Sequence, residues 1–546
     1  MAEKKGAVVK QAAFLMAAQL ICSVVGLLYR SPLHLIMGDV GDGYYTYAYE
    51  WYTIILLISS YSIPMAISKV MAERLALGQY RNAQKVFHGA LLYVLGVGGI
   101  GACVAFFGAP LFLTATPDAV LALRILAPTI LLSGILGCLR GYFQAQNNMM
   151  PTAISRVVEQ ILNAIMSVFA AWVLTRPYIG DENLTGKFGA AGGTIGTGSG
   201  VAIGIVFMLF MYMLNRKTYM TQIESDKTGK TESFADVFKV IFLMVTPIIF
   251  ATCIYNATAI VDQNIFSYSM VARGVGAMDI SRQYALFGYR FKPIINIPIA
   301  LSSATSTALI PAVATAMASN NRKDAKDKIN ECMLLSTFIA IPAAIGLCVL
   351  SYPVIRILYP TGDVKGAAML LSLGSISVVF YSLSTVTNGV LQGLGHPSVP
   401  VRNAAVALAI NALAAFLTVR YLGMGATGVL LATVLYAYTV MTMNAVALKK
   451  LLGYEHDINR LILQPLKAAL VMGAVVGIIF WVPYKLLPGV FDRYLMSAVL
   501  TMVSVLIGVI VYAIIYTKST GMTDAEIRRL PMGTKILVLL RKLHAR

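Results

Sequence analysis

The chain has 546 residues, 58% of them hydrophobic and only 12% charged, with a formal net charge of +19. Soluble domains carry about 25% charged residues, so an ordinary globular protein is excluded. Nucleic acid, a frequent partner of basic chains, is also a poor fit, because the charge here sorts by position along the chain.

The apolar residues fall in blocks of roughly 20 or more, the length a helix needs to cross a bilayer. Each backbone N–H and C=O in lipid must be satisfied within its own element, so blocks of this length read as helices. The short alternating segments of a β-barrel are not seen. The expected fold class is therefore all-α integral membrane, with about fourteen transmembrane helices. In chain order the spans are placed near 11–29, 45–64, 87–113, 119–139, 157–175, 189–214, 240–261, 284–316, 333–355, 367–391, 403–419, 424–448, 464–484 and 494–516. Lys4 and Lys5 ahead of an apolar run resemble a secretory signal. The run is long, lacks a small-residue cleavage site and leads into further spans, so it reads as an uncleaved first helix.

With these spans, roughly thirty of the 43 Lys and Arg fall on the side of the N-terminus and a dozen on the other. Arg124 lies inside the fourth span. Lys and Arg mark the cytoplasmic side, which places both termini in the cytoplasm. The short loop near His396 and Arg402 is the one cytoplasmic loop that does not follow this bias.

An internal duplication follows. PMAISKVMAERLALGQYRNAQK from Pro64 corresponds to PAVATAMASNNRKDAKDK from Pro311. LRGYFQAQNNMMP from Leu139 corresponds to LQGLGHPSVP from Leu391, and GKFGAAGGTIGT from Gly186 to LGMGATGVLLAT from Leu422. The offsets are 247, 252 and 236 residues and the order is kept, as for a repeated unit. Each copy holds six spans, an even number, so the two six-helix lobes are parallel repeats, as in two-lobed transporters. The expected layout is an N-terminal lobe at 1–214 and a cytoplasmic linker at 215–236. A C-terminal lobe at 237–450, two extra helices within 451–517 and a tail at 518–546 complete it. In the tail, apolar residues at helical spacing among Lys and Arg predict an amphipathic helix on anionic lipids of the cytoplasmic leaflet.

Loops are expected to be short, the longest near 262–283, which leaves no room for a catalytic domain. There is no G-x-x-x-x-G-K-[ST] and no H-E-x-x-H. No cofactor is expected. Cys22, Cys103, Cys138, Cys253, Cys332 and Cys348 show no metal spacing and read as small apolar residues. The five histidines, His34, His88, His396, His456 and His544, form no cluster in the sequence, and no metal is expected.

Charges at membrane depth cost a few kcal/mol and face a cavity or a partner. The candidates are Arg30, Arg282, Arg290 and Lys292, in two groups that open the two halves of the repeat. A cationic cavity suits an anionic substrate, since Arg offers a planar fork of donors to phosphate oxygens. The alternative is snorkelling at the interface. Glu50 and Asp262 are expected to be polar partners of these cations, or ion-coupling groups. The sequence does not assign Arg124 and Glu159. The aromatic run Tyr44–Tyr52 reads as an interfacial belt. Pro293 and Pro298 beside Arg290 and Lys292 predict a bent eighth helix, and the glycine-rich sixth span permits close helix packing.

YRSPLHLIMGDVGDGYYTYAYEWY from Tyr29, PMAISKVMAERLALGQYRNA from Pro64 and LQGLGHPSVPVRNA from Leu391 resemble the SpoVB/YtgP polysaccharide-transporter group. That group lies in the multidrug/oligosaccharidyl-lipid/polysaccharide flippase superfamily, with the MurJ-type lipid II flippases of Gram-positive bacteria. The resemblance covers essentially the whole chain. It implies a flippase of the bacterial plasma membrane for a lipid-linked oligosaccharide, an undecaprenyl pyrophosphate glycan, held by cavity arginines during alternating access. It also implies that the two extra C-terminal helices help form a groove for the polyprenyl tail. Arg30 matches the arginine at the end of the family's first helix, and Arg290 or Lys292 the cation of its eighth. Asp42 is the nearest match to its first-loop carboxylate. The family's other first-helix arginine has no counterpart near Ser23 and Val24, nor its second-helix arginine near Ile58–Tyr61.

Two other readings compete. A cation-coupled small-molecule exporter of the same superfamily needs acids in the cores of the first and seventh spans, which contain none. A membrane glycosyltransferase needs acidic or metal-binding residues on a large outer loop.

Overall fold

The computed structural model describes residues 14, 17–61, 63–226, 228, 232–307, 310–455, 457–486, 493–520, 524–529 and 533–542. The lysines at the start, part of the predicted linker and tail, His456 and His544 lie outside the described residues. All regular elements among the described residues are helical. Among the described residues, eleven helices are long and apolar enough to cross a membrane, and the bent pair Val364–Gly374 and Ser377–Gly393 makes up to twelve. The expected number of fourteen is not reproduced. Two predicted spans lack a long apolar helix: the first, described as Ala17–Leu28 (α1), and the eighth, which is broken into segments.

The chain forms two compact units, Met1–Ala285 and Leu286–Arg546. The first contains α2 (Arg30–Leu56), α3 (Ile63–Ala76), α4 (Tyr80–Phe112), α5 (Val120–Ala145) and α6 (Met150–Thr175). It continues with α7 (Glu182–Glu224), α8 (Phe234–Val271) and α9 (Ala277–Ala285). The second begins with a π-helical segment, Leu286–Phe291, then α10 (Lys292–Thr307), α11 (Ile310–Ala318), α12 (Arg322–Val349) and α13 (Ser351–Leu358). It is completed by α14 (Val364–Gly374), α15 (Ser377–Gly393), α16 (Ser398–Phe416), α17 (Gly425–Leu452), α18 (Gln464–Leu486), α19 (Arg493–Thr520), α20 (Asp524–Arg529) and α21 (Gly533–Lys542).

Two expected loops are helical. Residues 30–44, read as a connection, belong to α2, which kinks at Gly38 (φ 68°, ψ −177°). A positive φ of this kind is open to glycine and strained for other residues. The loop expected near 262–283 shrinks to a short turn, because α8 runs on to Val271 and α9 starts at Ala277. Hydropathy misplaced both ends because polar residues there are covered by neighbouring helices rather than by water. Asp262 and Gln263 are each 1% exposed.

The glycine-rich stretch of α7 packs against α6, as expected. A Cβ on Gly192 would lie 2.4 Å from the Ala171 backbone, on Gly196 2.5 Å from the Asn163 carbonyl, and on Gly200 2.6 Å from the Glu159 carbonyl. One stripe of glycines thus lets the two backbones touch, the close approach that stabilises helix pairs in lipid.

Two of the three repeated motif pairs make the same turn in each unit, whereas in the third Gly186–Phe188 is helical and Leu422–Met424 precedes α17. Pro64 and Pro311 each stand second in a short helix, α3 or α11. Gly78 (φ 71°) and Asn320 (φ 56°) then turn the chain into α4 or α12. Asn147 (φ 57°) and Gly395 (φ 80°) play the same part before α6 and α16.

The predicted linker begins as helix. The 43 residues of α7 make it ~65 Å long, well beyond the bilayer core. The chain that follows is fastened to the basic motif after Pro64. Arg74 pairs with Glu232 at 2.8 Å, the Glu232 N–H donates to Asn82 Oδ1 at 3.0 Å, and Lys85 donates to the Glu232 carbonyl at 2.8 Å. The Arg81 N–H donates to Asp226. The Thr228 hydroxyl donates to the same carboxylate and, with the backbone N–H groups of Arg81 and Thr228, holds its pKa down at about 2.

Candidate functional site

Arg30 opens α2 directly after Tyr29. Its guanidinium is half-buried, 6.0 Å from the centre of the Tyr45 ring. Tyr29 and Tyr45 share a hydroxyl contact of 3.3 Å, and Tyr45 stacks on Tyr49. The aromatic run is a packing element and not the interfacial belt expected. Tyr44, Tyr45, Tyr47 and Tyr52 are at most 3% exposed, and their hydroxyls meet Asn183, Tyr29, Ser267 and Ser133 respectively. A buried tyrosine needs a hydrogen-bond partner for its hydroxyl, and each of these has one.

The Gly38 kink also brings His34 against Asp42. Both are completely buried, and His34 Nδ1 shares a 2.8 Å hydrogen bond with Asp42 Oδ2. Asp39 completes a group whose donor atoms all lie within 4.8 Å of one another. One imidazole and two carboxylates form a donor set able to hold a divalent cation. The sequence showed no histidine cluster, and the partners of His34 proved to be acids one and two turns further on.

Glu50 accepts a 2.8 Å hydrogen bond from Tyr284, and the Tyr284 ring packs on Tyr47. Asp262, on α8, is buried within electrostatic reach of Tyr284. Arg282 sits on the exposed side of α9, where it pairs with Glu182 and with Asp279. These carboxylates hold its pKa above the ordinary arginine value, Glu182 most of all. Such a pair fixes α9 to the start of α7 and occupies the Arg282 guanidinium.

In the second unit, Arg290 lies in the π-helical segment and is completely enclosed, the largest fully buried side chain among the described residues. π-segments are rare and recur at functional positions. Its guanidinium is 5.6 Å from the centre of the Tyr359 ring, and the Tyr359 hydroxyl donates to the Tyr289 carbonyl at 3.2 Å. Lys292, half-buried at the start of α10, places its ammonium 4.6 Å from the Phe287 ring. The helix irregularity predicted from Pro293 and Pro298 therefore lies just before them.

Several polar clusters carried no sequence signal. Glu159 pairs with Arg140 at 2.5 Å, whereas Arg124 lies over Phe106 and donates to its carbonyl. Partners on separate helices share no spacing rule. In the second unit Asn403 donates to Asn444, which donates to Thr387 and Asn388, all within α15, α16 and α17. These three helices contain no Asp or Glu, so their polar interior is neutral. Of the six cysteines, Cys138 and Cys332 are buried as expected, but Cys103 is exposed.

Comparison with known proteins gives these groups a setting. Residues 81–504 match the lipid II flippase MurJ family. The lipid II flippase MurJ of Bacillus subtilis is 26% identical, covering 90% of this chain and 92% of that one. Stage V sporulation protein B of the same organism is 25% identical, covering 80% and 84%. The uncharacterized membrane protein YabM is 24% identical over 97% of this chain and 96% of its own length. Among solved structures, an inward closed lipid II flippase MurJ superposes with a TM-score of 0.65 at 16% identity, covering 92% of this chain and 98% of that one. An inward-facing multidrug transporter of the MATE family gives 0.58 at 14% identity, with coverage of 80% and 94%. Helix order, span composition and family match agree, and the chain belongs to the MurJ family of multi-pass membrane transporters.

Proposed function

We propose that this protein is a flippase that moves a lipid-linked cell-wall precursor, lipid II above others, from the inner to the outer leaflet of the bacterial plasma membrane. Membership of the MurJ family makes it a transporter and not an enzyme. The observation that carries the substrate class is Arg290, a guanidinium enclosed within an apolar helical unit and held in a π-segment. A buried cation of this kind is expensive, and in membrane proteins it marks a substrate or ion path. Lys292, two residues on, is a second candidate cation in that unit, and Arg30, beside Tyr45, is the candidate cation of the first unit. A pyrophosphate offers several oxygens to such forks. Asp42, held by His34, Glu50, held by Tyr284, and the buried Asp262 are the candidate polar partners or ion-coupling groups of the first unit. The neutral polar interior of α15–α17 argues against coupling to a cation within those three helices.

The proposed orientation puts both termini in the cytoplasm, on the positive-inside bias. In the tail, Arg541 pairs with Asp524, joining α21 to α20. The basic residues of the tail then rest on anionic lipids of the inner leaflet. Similarity to stage V sporulation protein B at nearly the same identity supports a second reading, transport of another undecaprenyl-linked unit.

The test is complementation of a strain whose own lipid II flippase is depleted, with lipid II measured in the membrane. Wild type restores growth and clears accumulated lipid II. If growth fails and lipid II stays high although the protein reaches the membrane, lipid II is not the substrate.

A further inference from the structure

We infer that Arg140 and Arg156, near the facing ends of α5 and α6, form a docking site for the diphosphate of a lipid-linked substrate, separate from Arg30 and Arg290. The inference rests on the flippase reading and assigns to it a first point of contact. Both arginines stand within about two turns of the connection between α5 and α6. In the proposed orientation that connection is cytoplasmic, so they lie at the level of the inner-leaflet phosphates.

The site is built, and not a loose surface pair. The Arg140 side chain is 12% exposed, and its Nη2 alone donates to Ser155 Oγ at 2.8 Å and to Glu159 at 2.5 Å. Arg156 uses Nη1 to donate to Gln19 Oε1 at 2.7 Å, while its carbonyl receives the Cys22 thiol at 3.4 Å. Arg156 and Glu159 stand three residues apart on α6, so the Arg140–Glu159 pair and the Arg156–Gln19 contact lie within one turn of each other beside α1. The Nε–H of each arginine is buried and finds no acceptor among the described residues. Leaving such a donor unmade costs about 1–3 kcal/mol.

The charges of this cluster sum to one excess positive charge, since two guanidinium groups face one carboxylate. Each guanidinium contributes only one of its amino groups to the contacts above, which leaves the remaining donors for an incoming anion. Arginine binds phosphate oxygens through just such a fork. A diphosphate has enough oxygens and charge to engage two forks together, whereas a monoanionic phosphodiester matches one. Glu159 holds Arg140 in place and also repels the same anion. Its removal therefore has an effect opposite in sign to removal of either arginine.

The experiment measures binding of undecaprenyl diphosphate, undecaprenyl monophosphate, phosphatidylglycerol and inorganic pyrophosphate to the purified full-length protein by native mass spectrometry. Arg140→Gln with Arg156→Gln is expected to weaken undecaprenyl diphosphate by about tenfold or more. Glu159→Gln is expected to tighten it severalfold. Arg140→Lys, which keeps the charge without the fork, is expected to fall between wild type and the double variant, and thermal unfolding checks that each variant is folded. If wild type binds the diphosphate and the double variant binds it equally well, the docking site is wrong while the flippase reading stands. Equal loss with Glu159→Gln and Arg140→Gln means a helix staple and overturns the inference. So does phosphatidylglycerol binding as tightly as the diphosphate, which means a general lipid contact. Preference for inorganic pyrophosphate over its lipid form rejects a lipid-linked ligand. No binding of any undecaprenyl phosphate by wild type removes the flippase reading itself.

Discussion

Arg30 opens a long helix with its guanidinium half-exposed beside Tyr45, whereas Arg290 is shut completely inside a π-helical segment of the other unit. Arg282 resembles the first, partly exposed and paired with carboxylates, whereas Arg74 and Arg140 lie between the two, largely buried but each paired with a carboxylate. A half-exposed cation contributes little to stability and can meet a ligand with small rearrangement. An enclosed one is part of the packing and meets a ligand only when its surroundings move. The contrast teaches that charge type alone does not define a transport site, and that the local helix geometry decides what each arginine can do.

Four experiments press on this contrast, in order of expected effect. Arg290→Ala should abolish complementation and also destabilise the protein by about 2–4 kcal/mol, since it empties an enclosed site. Arg290→Lys should fail as well, because an ammonium lacks the planar face set against Tyr359. Full growth of either variant would remove Arg290 from the mechanism. Gly374→Ala comes next. Its Cβ would lie 2.4 Å from Phe291, the residue after Arg290, and should cost about 1–3 kcal/mol with reduced transport. Normal transport rates in that variant would show that the π-segment need not be held in place.

Arg30→Ala should abolish complementation yet shift stability by no more than about 0.5 kcal/mol. A loss of stability matching that of Arg290→Ala would erase the distinction between the two cations. The smallest effect belongs to the linker clasp. Glu232→Ala should cost up to about 1 kcal/mol and speed hydrogen exchange in residues 74–85 and 232–236. The neighbouring Asp226 has a depressed pKa, so its contacts persist above the ordinary carboxylate range and are lost as pH falls toward about 2. Unchanged exchange in Glu232→Ala would mean that the clasp is held by Asp226 alone.

Much of the architecture was legible because lipid imposes a simple rule. Long apolar blocks must be helices, and nearly all of those read from the chain are helices. The duplicated motifs around Pro64 and Pro311 were equally legible, since each needs a turn at a fixed place and both copies make it. The eighth span was read as one helix because its apolar content is continuous, but hydropathy is blind to a π-register change at Leu286–Phe291. The aromatic run 44–52 was misread for a related reason. Tyrosine suits both an interface and a buried hydroxyl network, and only the neighbours decide between them.

The candidate site divides in the same way. Arg30, Arg290 and Lys292 stood out because cations are rare in apolar blocks, and Asp42 followed from the resemblance to the family. Arg140 and Arg156 did not stand out, since they lie where a positive-inside loop normally carries charge, and Glu159 was noticed but given no partner. His34 went unnoticed because residues 30–44 read as a loop, in which spacing along a helix has no meaning.

What the sequence determined by itself is the solvent of this protein, its helical class, its duplication and its family. Each of these depends on composition or on order along the chain, which burial in lipid converts directly into structure. The tertiary fold alone decided which polar groups meet: His34 with Asp42, Arg140 with Glu159, Glu50 with Tyr284. Ion pairs and hydrogen bonds form over a few ångströms, across the Gly38 kink for the first pair and between different helices for the other two, and no regular residue spacing records that distance.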